Sequence, residues 1–170
     1  SRLLQEAGAD YLAVSCLDEA LELRQGGISL PILILGHTPP EYTAQLISLD
    51  ITQTVTCLAK ALEYSAEASR LGRELKIHIK LDTGMSRLGY LCAGEHFDEG
   101  VKNVIDSCRL PGLIHEGIYT HFAVSDDRGE DAYTREQFRR FTAAIARLEK
   151  DTGHHFSLRH CANSGAVINY

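Results

Sequence analysis

Several patterns are missing from this chain, and each absence removes a class of function. Its five cysteines (Cys16, Cys57, Cys92, Cys108, Cys161) include no C-x-x-C pair. An odd number spread this widely indicates neither a zinc knuckle nor a disulfide framework, and a reducing cytoplasm is the expected location. No apolar run approaches the length of a membrane span, and no charged-then-apolar leader opens the sequence, so no membrane is expected as a partner. Neither G-x-G-x-x-G nor G-x-x-x-x-G-K-[ST] occurs, which removes the common glycine-rich cradles for nucleotide phosphates. Cations are outnumbered, 17 Lys and Arg against 23 Asp and Glu, giving a formal net charge of -6. That balance argues against a nucleic-acid surface, although a local basic pocket is compatible with it. There is no internal repeat and no low-complexity linker. What is present is 170 residues of ordinary globular composition, 44% hydrophobic and 24% charged, enough for one domain or most of one.

Apolar, β-rich runs alternate with helical patterns. Strands are expected at Tyr11 to Val14, Pro31 to Leu35, Ile51 to Thr56, Lys76 to Asp82, Gly117 to Phe122 and Phe156 to Cys161. Between them, Leu17 to Leu23 follows a capping-box-like Ser15-Cys16-Leu17-Asp18 and stops at Gly26-Gly27. Pro39-Pro40 opens a helix over Glu41 to Ile47, and a long helix ends near Gly72. Phe97, Val101, Val104, Ile105 and Cys108 mark a helical face stopped by Pro111, and Phe138, Phe141, Ile145 and Leu148 mark another. Strict alternation of strand and helix means parallel strands joined by right-handed crossovers. With no nucleotide fingerprint to favour an open doubly wound sheet, the expected fold is α/β, a partial (β/α)8 TIM-type barrel of about six parallel strands. A closed barrel has eight units in roughly 250 residues. Residues 1–170 are therefore expected to be an incomplete barrel domain lacking its first and last strands, the chain opening inside a helix at Arg2 to Ala7.

The segment Lys76-Ile77-His78-Ile79-Lys80-Leu81-Asp82 carries a polar residue at every second position. Alternate side chains of a strand share a face, so His78, Lys80 and Asp82 line one side and Ile77, Ile79 and Leu81 the other. In a sheet covered on both sides, such burial costs several kcal/mol unless the groups are paired or chemically changed. Barrel enzymes place their chemistry at the C-terminal ends of the strands. At those ends stand Lys80, Asp82 and Arg87, then His121 and Asp126, then His160, Asn163 and Ser164. Arg87 lies in a glycine-flanked loop, Gly84 to Gly89, where a guanidinium can grip a carboxylate with two prongs; a surface arginine capping a helix is the plain alternative. For Lys80 the plain alternative is a salt bridge to Asp82, for His121 a satisfied core histidine, and for Asn163 and Ser164 an N-cap. His154 and His155 read as loop residues.

Taken together the motifs resemble the N-terminal barrel domain of the alanine racemase family. The resemblance is carried by Ala9-Asp10-Tyr11-Leu12-Ala13-Val14 with Asp18-Glu19-Ala20, by Pro31-Ile32-Leu33-Ile34-Leu35-Gly36 and by Lys80-Leu81-Asp82-Thr83-Gly84-Met85-Ser86-Arg87-Leu88-Gly89. Glu116-Gly117-Ile118-Tyr119-Thr120-His121-Phe122-Ala123 and His160-Cys161-Ala162-Asn163-Ser164 follow in the family's order. The resemblance implies a pyridoxal 5'-phosphate enzyme that interconverts L- and D-alanine, supplies D-alanine for peptidoglycan, and works as a cytoplasmic homodimer. It implies that Arg87 holds the substrate carboxylate and contacts the cofactor's phenolic oxygen. It further implies a carbamylated Lys80 paired with Arg87, with His121 against the pyridine ring, Asn163 in the cofactor pocket and Ser164 at the phosphate. The lysine that anchors the cofactor, the opposing tyrosine and the arginine at the pyridine nitrogen are expected outside these residues, so this segment alone is expected to be inactive. No metal is expected. Serine is a possible alternative substrate within the family. A metal-dependent barrel hydrolase with His78, Asp82, His121 and His160 around Lys80 is the competing enzyme class, and a non-catalytic assembly module the third reading.

Overall fold

A computed structural model describes residues 1–170. After a short helix α1 (Arg2–Glu6) the order is β1 (Leu12–Val14), α2 (Leu17–Gln25), β2 (Ile32–Ile34), α3 (Thr43–Ser48), β3 (Ile51–Val55) and α4 (Leu58–Leu71). Next come β4 (Leu75–Asp82), β5 (Tyr90–Leu91), α5 (Phe97–Cys108), β6 (Leu113–Tyr119), α6 (Asp131–Thr152), β7 (Leu158–His160) and α7 (Ser164–Asn169). The strands lie in the order β1-β2-β3-β4-β6-β7, and every pair is parallel. This is the expected partial barrel. The six expected strands are all present, with one addition: β5, two residues long, pairs with the end of β4 through Leu81↔Tyr90 and Asp82↔Leu91. A two-residue strand has no alternation to read, so no periodicity announces it.

Helix ends follow local chemistry. α4 stops at Gly72 (φ +60°) and α6 at Gly153 (φ +69°), both in the left-handed region where a side chain is disfavoured. The turn before α2 uses Ser15 and Glu19 instead of Asp18: the Ser15 N–H and hydroxyl both donate to the Glu19 carboxylate, at 2.7 and 2.8 Å. α5 packs so closely on β5 that a Cβ at Gly100 would sit 2.0 Å from the Leu91 carbonyl oxygen.

The core lies between the sheet and its helices. Ile77, Ile79 and Leu81 are fully buried with Tyr64 of α4, Val104 of α5, and Phe141 and Leu148 of α6. Phe138 departs from the expected face and is 50% exposed. The opposite face of the sheet is the barrel lumen, and it is polar: Thr52, Thr54, His78, Lys80 and Tyr119 are all buried there.

Strand β6 runs from Leu113, four residues before the expected start, and contains a bulge. β4 pairs Ile77 with His115 but His78 with Gly117, skipping Glu116. The extra residue shifts the parity of the strand. His115 faces the helices, where its Nε2 lies 3.1 Å from the Ser107 carbonyl. Glu116 faces the lumen instead, accepting from the Tyr11 hydroxyl at 2.9 Å.

Candidate active site at the C-terminal end of the sheet

Asp82 closes β4, and its carboxylate turns back to organise the next loop. Oδ1 accepts the N–H groups of Gly84 and Ser86 and Oδ2 that of Arg87, each at 3.0 Å. The loop can make this tight return because Gly84 (φ +142°) and Gly89 (φ +128°) adopt backbone conformations closed to most residues, and Ser86 is left-handed at φ +58°. A Cβ at Gly89 would come 2.7 Å from the Asp82 backbone nitrogen. The carboxylate is thus spent on backbone donors. A Lys80–Asp82 salt bridge, the plain reading of the strand, does not form.

Lys80 stands one step inward on the same face. It is buried (6% exposed), and its Nζ lies over the Tyr119 ring, 5.7 Å from the centroid. Burial pushes the amine's pKa below the ordinary lysine value, the Arg87 cation pushes it further, and Asp82 offsets only part of this. Arg87 itself is exposed, and its guanidinium makes no hydrogen bond or ion pair within the chain. His121 follows β6 and is half-buried. Its pKa is lowered by burial, then by Arg87 and Lys80. Tyr119, whose hydroxyl shares a 3.1 Å hydrogen bond with Thr54, is pushed up to about 12 by burial although Arg87 pulls the other way. Lys80, Arg87 and His121 therefore share one neighbourhood with an excess of positive charge.

On the other side of Tyr119 the lumen continues as a chain of polar contacts. The His160 ring stacks on Tyr119 with centroids 4.6 Å apart and planes at 8°. His160 Nε2 is 3.1 Å from His78 Nδ1, and His78 Nε2 is 3.4 Å from Glu116. β7 is an edge strand and His160 as a residue is exposed, yet its ring is enclosed between Tyr119 and His78. That enclosure pushes its pKa down to about 4, with the His78 charge adding to the shift. Gly117 makes room: a Cβ there would lie 2.6 Å from the His78 ring. His78, Asp82, His121 and His160 do not converge as a ligand set, and no three His, Cys, Asp or Glu side chains gather to hold an ion.

Asn163 and Ser164 begin α7. Asn163 is the N-cap, its Oδ1 accepting from the Ala166 N–H at 2.9 Å and the Ser125 hydroxyl at 2.6 Å, so capping is its observed role. Its Nδ2 donates to the Phe122 carbonyl at 3.3 Å. These bonds tie α7 to the loop after β6, where Asp126 packs against Gly165. Ser164 is exposed beside that cap. His154 and His155 lie in the connection after α6, as expected.

Sequence reasoning missed Tyr119, Glu116 and Gln137. Glu116 was hidden by the bulge. Tyr119 is two positions before His121, a spacing that signals a shared strand face. Gln137 sits among Thr134, Phe141, Ala144 and Leu148 at helical spacing, so a polar residue in the middle of a buried stripe was its visible signal.

Comparison with known proteins agrees with this arrangement. The family model "Alanine racemase, N-terminal domain" matches residues 1–170. The chain is 45% identical over 172 residues to alanine racemase 2 of Caldanaerobacter subterraneus, covering 100% of this chain and 43% of that protein. It is 45% identical over 166 residues to an alanine racemase of Clostridium perfringens, covering 98% and 42%. The solved alanine racemase of Clostridium difficile 630 in complex with cycloserine superimposes with a TM-score of 0.88 at 37% identity, over 98% of this chain and 44% of that one. The chain thus spans less than half the length of these relatives. A parallel half-barrel with these loops at its strand ends, matched over its entire length, belongs to the alanine racemase N-terminal domain family.

Proposed function

We propose that these residues form the barrel domain of a pyridoxal 5'-phosphate-dependent enzyme that racemises alanine, acting as a homodimer in the cytoplasm and supplying D-alanine for peptidoglycan. No helix is long and apolar enough to cross a membrane, which is compatible with that location. The observation that carries the reading is the uncommitted Arg87 guanidinium, held by its own N–H to Asp82 beside a buried, unpaired Lys80.

The residues present fit the cofactor. The Arg87 guanidinium, the half-buried His121 ring and the exposed Ser164 hydroxyl make no hydrogen bond or ion pair within the chain, and free donors of this kind suit a planar ring bearing a phenolate and a phosphate. When bound, pyridoxal phosphate supplies an electron sink for the carbanion left when the substrate's α-proton is removed. This chain's residues bind and orient. Arg87 grips the substrate carboxylate with a planar fork. Ser164 meets the phosphate, with Asn163 fixing the start of α7 beneath it. His121, its pKa lowered, presents a neutral ring. The groups that move the proton belong to the rest of the protein in this reading, and residues 1–170 alone are inactive.

Lys80 is assigned a carbamate. Burial and Arg87 favour its neutral amine, the form whose nitrogen lone pair adds to CO2; the amine proton leaves, and the product is an anion with two acceptor oxygens beside Arg87. The charge excess of the site then becomes a pair. Replacing Arg87 by Lys in the full-length enzyme is expected to lower kcat/KM for alanine at least tenfold while the melting temperature stays within a few degrees, because a point charge cannot reproduce the fork. Unchanged racemisation would remove the assignment.

A further inference from the structure

The loop carrying Arg87 and the loop carrying His121 leave different strands; the Thr83 and Thr120 hydroxyls join them directly at 2.8 Å, and one side chain of α6 bridges them from the helix layer. Gln137 of α6 is completely buried. Its Oε1 accepts the Ala123 N–H at 2.9 Å, while Nε2 donates to the His121 carbonyl at 3.2 Å and lies 3.4 Å from the Thr83 hydroxyl. Ala123 demands an acceptor and His121 a donor, so the amide has one productive orientation. Around it, α6 sends two more groups to the same turn: the Tyr133 hydroxyl donates to the Gly84 carbonyl at 2.6 Å and Arg140 to the Thr83 carbonyl at 2.9 Å. Arg140 is itself held by Glu136 at 2.9 Å. These residues fall at successive turns of one helix, forming a stripe aimed at the strand ends. Gly84 admits it, since a Cβ there would lie 2.5 Å from the Tyr133 hydroxyl oxygen.

Beyond Gln137 that helical face is apolar, with Phe141, Ile145 and Leu148 below. A methionine would fill the space of Gln137 without needing three polar partners. What the amide adds is a fixed distance. We propose that Gln137 is a positioning residue of the racemisation site, setting the separation between the turn that presents Arg87 and the segment that presents His121. The proposal rests on the reading of Arg87 and His121 given above. Tyr133 and Arg140 restrain the Arg87 turn from the same helix, the Thr83 and Thr120 hydroxyls join the two segments directly, and Gln137 is the α6 residue whose side chain bonds to the His121 segment while reaching the Thr83 hydroxyl.

The test uses the full-length enzyme. Gln137→Met is expected to lower kcat/KM for alanine tenfold or more, whereas Ile145→Val, a core change on the same helix with a matched fall in melting temperature, leaves it within twofold. In an Arg87→Lys background the Gln137→Met loss shrinks below threefold, because the group being positioned is already compromised. In cofactor-free protein, the His121 ring, followed by NMR, titrates closer to the ordinary 6.5 in Gln137→Met, as Arg87 and Lys80 recede from it. If Gln137→Met does not fold, Gln137→Glu keeps the acceptor for Ala123 and supports the same kinetic comparison. A normal kcat/KM in the Gln137 variants, or a loss undiminished beside Arg87→Lys, overturns the positioning role. Arg87→Lys with unchanged racemisation overturns the site reading itself, and the positioning role with it.

Discussion

Replacing Asp82 by Asn tests whether this carboxylate organises the Arg87 turn. The two side chains are nearly isosteric, so the change isolates charge and acceptor count. Asn can keep one oxygen facing Gly84 and Ser86, as Oδ1 does now, but its NH2 then meets the Arg87 N–H, donor against donor. The opposite flip sacrifices two bonds to save one and is disfavoured. A hydrogen bond to a charged group contributes about 1.5–3 kcal/mol, and a neutral one about 1 kcal/mol. The free energy opposing local opening at Arg87 should therefore fall by about 2–3 kcal/mol, which speeds its amide hydrogen exchange by about 30- to 150-fold. Gly84 and Ser86 lose only the charge assistance and should accelerate by less than about 10-fold. Residue-resolved exchange by NMR measures all three amides in one experiment, with Val104 in α5 as an unaffected reference. Equal acceleration at the three positions, or none, would show that the turn is held by something other than the Asp82 carboxylate.

Two further outcomes follow from the lumen and from the helix-facing side of β6. Gly117→Ala places a methyl 2.6 Å from the buried His78 ring; overpacking of this kind costs about 1–3 kcal/mol, readable by urea unfolding, and an unchanged midpoint would mean that the ring moves freely. His115 is buried and its folded pKa is pushed down to about 4, below the ordinary 6.5. Between those values the unfolded chain binds the extra proton, so stability is full above pH 6.5 and is lost as pH falls toward 4. At about 1.4 kcal/mol per unit the window is worth roughly 3 kcal/mol. His115→Asn should lower the slope of the unfolding free energy against pH in that range, leaving the share of His160, which is pushed down to the same value, and a slope equal to that of the unaltered protein would assign the proton to another group.

The legibility of this chain differs between its two kinds of pattern. Strand β4 was readable residue by residue, because strict alternation over eight positions fixes which side chains share a face. The same rule failed in β6. One skipped residue put His115 toward the helices and Glu116 into the lumen, and no propensity marks a bulge from within the sequence. Asp82 was placed correctly on the lumen face of β4, but the plain reading partnered it with Lys80 at the same strand end. Its actual partners are backbone N–H groups two to five residues on, which every sequence possesses and none advertises. Asn163 shows the reverse case. Its capping role follows from residue type and position alone, and the capping bond to Ala166 is present as chemistry predicts.

Strand β4 also shows how one element can meet two incompatible demands. Ile77, Ile79 and Leu81 are each fully buried against the helices, and burying such a side chain is worth about 1.5–3 kcal/mol. On the opposite face, His78 and Lys80 are buried at an electrostatic cost, with no carboxylate in full charge contact with Lys80. Because the two faces alternate along a single backbone, the apolar one fixes the register that holds the polar one in place: a one-residue slip would carry the isoleucines into the lumen and Lys80 into the core. The stability of this strand and the unfavourable environment of its lysine are thus consequences of the same alternation. The residue with most to gain from a change of charge is held where the chain can least easily rearrange to relieve it.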